Sequence, residues 1–151
     1  MDINDISREL FEYLRDVIDM SPDNIRTVKS AIALIKEQSP SDIPLILRKM
    51  ERLVDIQQDM SWILLVMRRK LHELIKDMKV KKDPAYVMLV KQGRPSSSAI
   101  EAEIRFTNKD LYKTEDDIEI VKNVIEYFQK LVDSIEKYTW LLKDKLSTEK
   151  M

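Results

Sequence analysis

Apolar residues recur along this chain at the spacing of helix faces, with one short run whose period stays open. Ile6, Leu10, Leu14, Val17 and Ile18 repeat every three or four residues and predict a first helix, capped by Asp5 and reaching about Met20, where Ser21-Pro22 interrupts it. Ile25, Val28, Ile32 and Ile35 predict a second helix, opened by Asp23 or Asn24 and stopped at Ser39-Pro40. The two form an accessory helical hairpin, an arm over residues 1–40. Ser41-Asp42 starts a third helix, where Pro44 is tolerated because first-turn amides have no intrahelical partner. From Ile46, the positions Met50, Leu53, Gln57, Met60, Leu64, Met67, Leu71, Leu74 and Met78 step by alternating fours and threes, a heptad seam that carries this helix to about Lys82.

Asp83-Pro84 is expected to end or kink the third helix, since the residue before proline is pushed out of the α region. Tyr86-Val87-Met88-Leu89-Val90 is too short for its period to separate a helical turn from a small strand. Gln92-Gly93-Arg94-Pro95 is the strongest turn signal and reverses the chain. Ser96, Ser97 and Ser98 offer an N-cap to a last helical region; capping by Ser97 would set Ile100 and Glu101 in the first turn. Breaks are expected at Thr107-Asn108 and at the capping site Thr114 to Asp117, after which the pattern is continuous to Leu146.

That last helix carries two seams. Ile118, Val121, Ile125, Phe128, Val132, Ile135, Thr139 and Leu142 form one. Ile120, Val124, Tyr127, Leu131, Ser134, Tyr138 and Leu141 form the other, one face further round. Packing against the third helix satisfies one seam and leaves the second for the N-terminal arm or for another subunit. The expected architecture is a long antiparallel helical hairpin over residues 41–151, coiled-coil-like, that assembles into a ring-like homo-oligomer through Ile120, Val124, Tyr127, Leu131, Tyr138 and Leu141.

Composition agrees with an all-α class. One Gly in 151 residues, with 35% charged and 44% apolar, removes the tight turns a sheet protein needs. No Cys excludes disulfides, thiolate metal sites and thiol nucleophiles, and a single His cannot build a multi-His zinc site. A chain with one Gly holds no phosphate-binding glycine loop. His72, among Arg69, Lys70 and Lys76, has no Ser or Cys motif beside it, and Glu115, Asp116, Asp117 and Glu119 complement a helix dipole better than they hold Mg²⁺. Met50, Met60, Met67 and Met78 on one seam make a deformable core. No catalytic residue, metal or cofactor is expected. The longest apolar run, Trp62 to Met67, is far too short to span a bilayer, and Met1-Asp2-Ile3-Asn4-Asp5 lacks a basic signal-peptide start, so a cytoplasmic location is expected.

Charge changes the picture more. The net charge of -1 conceals -4 over residues 1–67, +6 over residues 68–94 and -3 over residues 95–151. The middle block holds Arg68, Arg69, Lys70, Lys76, Lys79, Lys81, Lys82, Lys91 and Arg94 against Glu73, Asp77 and Asp83. Such an island at the reversal of a hairpin is the footprint expected for a polyanion, because neutralised phosphates release condensed counterions; it also suits a solvated helix end. Arg68, Arg69 and Lys70 are consecutive and fan around about 200° of helix, a layout that tracks a backbone rather than base edges. Tyr86 within the island and Tyr112 beyond it either stack on unpaired bases or pack on their own helix.

Taken together, a long helix, a basic stretch, a tip with an aromatic and a Gly-Arg pair, then Lys109-Asp110-Leu111-Tyr112-Lys113 followed by Ile118, Val121, Ile125, Tyr127, Phe128, Leu131, Ile135, Trp140 and Leu142, resemble the phage recombination mediator (UvsY-like) family. The similarity is clearest over residues 99–146 and weaker over 60–95. It implies a non-enzymatic, ring-forming protein that binds single-stranded DNA. Such a protein loads a RecA-like recombinase onto strands covered by single-strand-binding protein, in the host cytoplasm where phage-encoded. The family's DNA-binding cations lie at the end of the first long helix and correspond to Arg68, Arg69 and Lys70. The first 40 residues have no counterpart in the family, and the acidic balance rests DNA affinity on the island alone. The Met-rich seam and the open period of Tyr86 to Val90 also suit a coiled-coil scaffold or prefoldin-like holdase that does not bind DNA.

Overall fold

The computed structural model describes residues 3–93, 96–107 and 109–149. They form five helices: α1 (Ile3–Asp16), α2 (Pro22–Lys36), α3 (Ile43–Lys91), α4 (Ser97–Thr107) and α5 (Lys109–Glu149). No strand occurs among the described residues, so the fold is all-helical, as the glycine-poor composition implies.

Local chemistry sets most boundaries. α1 stops at Asp16, short of Met20, because the chain turns left-handed at Asp19 (φ 54°), a conformation that short polar side chains tolerate. The amides of Val17 and Ile18 both reach the Tyr13 carbonyl at 3.0 Å, and the Met20 amide folds back to Leu14 at 2.8 Å. Ser21 and Pro22 then start α2 as well as separating it from α1. The Ser21 hydroxyl accepts the Asn24 amide at 3.2 Å, and Pro22 occupies the first turn, where its missing N–H costs nothing. In α4 the cap is Ser96 rather than Ser97, its hydroxyl accepting the Ala99 amide at 3.2 Å.

Two expected breaks do not occur. α3 continues through Pro84 to Lys91, so Tyr86 to Val90 is helix. Pro84 and Val80, whose carbonyl loses its donor, both face solvent, while Ala85, Tyr86 and Leu89 on the opposite side pack against Ile100, Ile104 and Leu111. A proline inside a helix costs about 3 kcal/mol. Burial of several apolar side chains at about 1.5–3 kcal/mol each outweighs it. At the second position, Thr114 bonds back to the Asp110 carbonyl at 2.9 Å and α5 passes straight through. The break at Thr107-Asn108 stands between α4 and α5, with Asn108 outside the described residues. Gly93 closes the α3 end with φ 79°, which suits a residue without a Cβ.

The chain divides into two units, Met1–Met67 with Val124–Met151, and Arg68–Asn123. The first holds α1, α2, the start of α3 and the end of α5. Its core includes Leu14, Val28, Ile46, Leu53, Met60, Met67, Phe128, Ile135 and Leu142, so most of the α3 heptad seam up to Met67 and of the first α5 seam from Phe128 onward is buried there, with Met50 and Gln57 half-buried. Polar ties join its helices. Lys49, only 5% exposed, meets the Glu37 carboxylate at 3.4 Å, Arg52 meets the same carboxylate at 3.3 Å, and the Lys145 ammonium donates to the Pro40 carbonyl at 2.7 Å. Lys29 lies 5.0 Å over the Phe11 ring and ties α2 to α1. In the second unit, Ile100, Ile104 and Leu111 are buried against Met78, Ala85, Tyr86 and Leu89, with Ile118 and Val121 buried further along α5.

Candidate nucleic-acid interface

The basic island belongs to the second unit and is carried by one continuous helix. Arg68, Arg69, Lys76, Lys79, Lys81 and Lys91 of α3 are exposed, and Lys70 is half-buried. At 100° per residue, Arg68, Arg69, Lys76 and Lys79 fall within about 100° of one another and extend about 17 Å along the axis. Because α3 does not break at Pro84, Lys91 stands on the same rod, about 35 Å beyond Arg68. A row of flexible ammonium and guanidinium groups at this spacing can neutralise successive phosphates, and it presents no rigid fork aimed at base edges. His72, on the same helix, is exposed. Arg94 lies outside the described residues.

Lys82 and Tyr86 of the island have structural partners in α4. Lys82 is half-buried and its ammonium meets the Glu101 carboxylate at 3.2 Å, joining α3 to α4. Tyr86 packs on the Ile100 cluster and its hydroxyl lies 3.3 Å from that of Ser97. The Tyr86 ring therefore braces α4 against α3. Aromatic surface is open elsewhere in this unit: Tyr112 is 52% exposed and Phe106 85%. The sequence reading missed Phe106, yet the signal was present, because the seam through Ile100, Ile104 and Leu111 passes it by.

The second seam of α5 is divided. Val124 and Leu131 are buried within the chain, Ile120, Tyr127 and Tyr138 are half-buried, and Leu141 is 56% exposed. α2 covers part of this seam, with Ile32 and Ile35 facing Tyr127 and Leu131. Burial also holds the Tyr127 hydroxyl above its ordinary pKa. The N-terminal arm thus takes up the part of the seam around Tyr127 and Leu131.

On α3, Leu47, Val54, Trp62, Leu65 and Val66 remain between 42% and 62% exposed, off the buried seam. Among the described residues no group of three or more His, Asp or Glu side chains could hold a metal ion, and no helix is long and apolar enough to cross a membrane. No protein-family profile, no curated protein and no solved structure matches the chain.

Proposed function

We propose that this protein is a non-enzymatic mediator of DNA recombination and repair that binds single-stranded DNA along the basic part of α3. The observation that carries this reading is the row Arg68, Arg69, Lys76 and Lys79 on one side of an uninterrupted helix, in a block of net charge +6. Phe106 and Tyr112 supply open rings on which unpaired bases can stack. The resemblance to the recombination mediators supplies the rest. Copies of the chain form a ring of antiparallel helical hairpins, with Leu141 the second-seam residue left open. They load a RecA-like recombinase onto strands covered by single-strand-binding protein.

Titration of a fluorescent single-stranded oligonucleotide across salt concentrations tests the DNA site. Affinity is expected to fall log-linearly with salt, at about 0.7 per phosphate neutralised on a single strand. Replacing Arg68, Arg69 and Lys70 together with Gln is then expected to reduce the slope by about two. An unchanged slope removes these three residues from the site.

A second reading has its own observation. The exposed Trp62, Leu65 and Val66 of α3 suit a scaffold or holdase that collects apolar segments of client chains. Suppressed aggregation of a client, with no oligonucleotide binding at low salt, selects it.

A further inference from the structure

In the first unit, the solvent side of α3 carries an open furrow of about 580 Å³, lined by Val54, Gln57, Gln58, Ser61, Trp62 and Leu65. These side chains make two rows, Val54-Gln58-Trp62 and Gln57-Ser61-Leu65, each stepping by four residues. Glu51, Asp55 and Asp59 make the next row over at the same step. All three carboxylates are exposed, and among the described residues none has an ion pair or hydrogen bond. We propose that this face of α3 docks a short basic amphipathic helix of a partner protein, whose apolar row enters the furrow and whose lysines or arginines meet Glu51, Asp55 and Asp59.

Shape argues for a helix. Rows of side chains four apart are the ridges of a helix surface, and the groove between two of them takes a ridge of a second helix. Ser61, small and in the middle of the furrow, lets an incoming side chain approach the α3 backbone. Trp62 is 62% exposed and Leu65 49%, while Leu53, Met60 and Met67 bury the other side of the helix in the core. A tryptophan beside such a groove is the kind of anchor that concentrates binding energy when a partner covers it. Charge selects the partner. Like charges four residues apart repel on the helix they share, and cations of a docked helix relieve that repulsion. The cations of this stretch do not supply the relief: Lys49 is buried, Arg52 is held by Glu37 at 3.3 Å, and Arg48 stands at the far end, before Glu51. The net charge of -4 over residues 1–67 also favours a basic partner. The positive part of α3 begins at Arg68, which confines the docked segment to Leu47 through Val66, about 30 Å of helix. None of the docking residues belongs to the basic island, so the face stands or falls separately from the DNA site.

The test uses the full chain and a short fluorescein-labelled peptide of leucine and lysine whose leucines share one helical face. Fluorescence anisotropy at low salt is expected to show saturable binding. It should weaken about tenfold or more for a scrambled peptide of the same composition and for a peptide with glutamates in place of the lysines. Similar losses are expected when the protein carries Trp62→Ala with Leu65→Ala, or Glu51→Gln with Asp55→Asn and Asp59→Asn. Every substituted position is exposed, so thermal melts should match that of the parent, and oligonucleotide affinity should hold in the Trp62 and Leu65 variant. With Trp140→Phe, Trp62 is the one tryptophan left, and its emission should shift to the blue as the peptide covers it. No saturable binding, unchanged affinity in either variant or an unmoved Trp62 emission overturns the proposal. So does equal binding of the scrambled peptide, which would reduce the interaction to charge alone, or of the glutamate peptide, which would make the face a general collector of apolar segments. Light scattering in which Trp62→Ala with Leu65→Ala lowers the mass of the parent would assign the face to a second copy of the chain and overturn it as well.

Discussion

The Lys49 ammonium lies 4.9 Å from the centre of the Tyr138 ring and 3.4 Å from the Glu37 carboxylate, so one buried cation links the end of α2 to α3 and α5. A lysine at a core position is tolerated only when its charge is met on several sides. Here a carboxylate, an aromatic face and the Glu37 carbonyl at 3.4 Å meet it. Lys49→Ala should destabilise the protein by about 2 kcal/mol, less than the 3–5 kcal/mol of a pair buried on both sides, because Glu37 remains partly in water. Lys49→Met keeps the packing of the stem and should lose less. Urea unfolding of the two variants checks the order.

Acid should loosen the same junction. Burial pushes the Glu37 carboxyl upward, but hydrogen bonds and charge from Lys49 and Arg52 outweigh it and hold the group below its ordinary pKa. A depressed carboxyl contributes stability that is complete above its unfolded pKa of about 4.3 and is lost as pH falls through the folded value. Glu37→Gln should therefore lower stability at neutral pH and flatten its decline below about pH 5. Thermal melts of parent and variant from pH 3 to 7 measure the difference.

Tyr138 has an apolar reason to change. Its hydroxyl is buried and finds no hydrogen-bond partner among the described residues. Tyr138→Phe removes that desolvated group and keeps the ring under Lys49, so stability should hold or rise by about 1 kcal/mol. A loss above that amount in urea unfolding would mean that a water bridges the hydroxyl.

Pro84→Ala should strengthen α3. Alanine restores the amide that can bond the Val80 carbonyl, and part of the gain of about 3 kcal/mol is cancelled by the freer unfolded chain. A net rise of about 1–2 kcal/mol, with slower amide exchange at Val87 to Val90, is expected. Unchanged exchange in that stretch would show that its protection comes from packing on Ile100 and Ile104 alone.

Periodicity carried most of the fold because each helix buries a stripe. The α3 positions Ile46, Leu53, Met60, Leu64 and Met67 and the α5 positions Val121, Phe128, Ile135 and Leu142 are core in both readings. What local sequence misplaced were ends and breaks. Pro84 signals a stop by its own chemistry, but the cluster that overrides it includes Ile100, Ile104 and Leu111, 16 or more residues away. Asp19 closes α1 in a conformation usually assigned to glycine, and Thr114 caps nothing because α5 has already begun. In the candidate site, the cations on α3 were legible from charge alone. The roles of Lys82 and Tyr86 were not, since both depend on partners in α4.

The bond from Lys145 to the Pro40 carbonyl joins residues 105 positions apart, and the first unit is assembled from both ends of the chain. The second unit is one continuous stretch, Arg68–Asn123, with every partner near in sequence. During synthesis from the N-terminus, α4 and its neighbours can therefore settle while α5 is still emerging. Until α5 is complete, the apolar stripe of α3 from Ile46 to Met67 lacks Phe128, Ile135 and Leu142, the α5 share of the core it belongs to. The growing polypeptide is most prone to sticking in that interval, and a chain truncated before Val124 should stay there permanently.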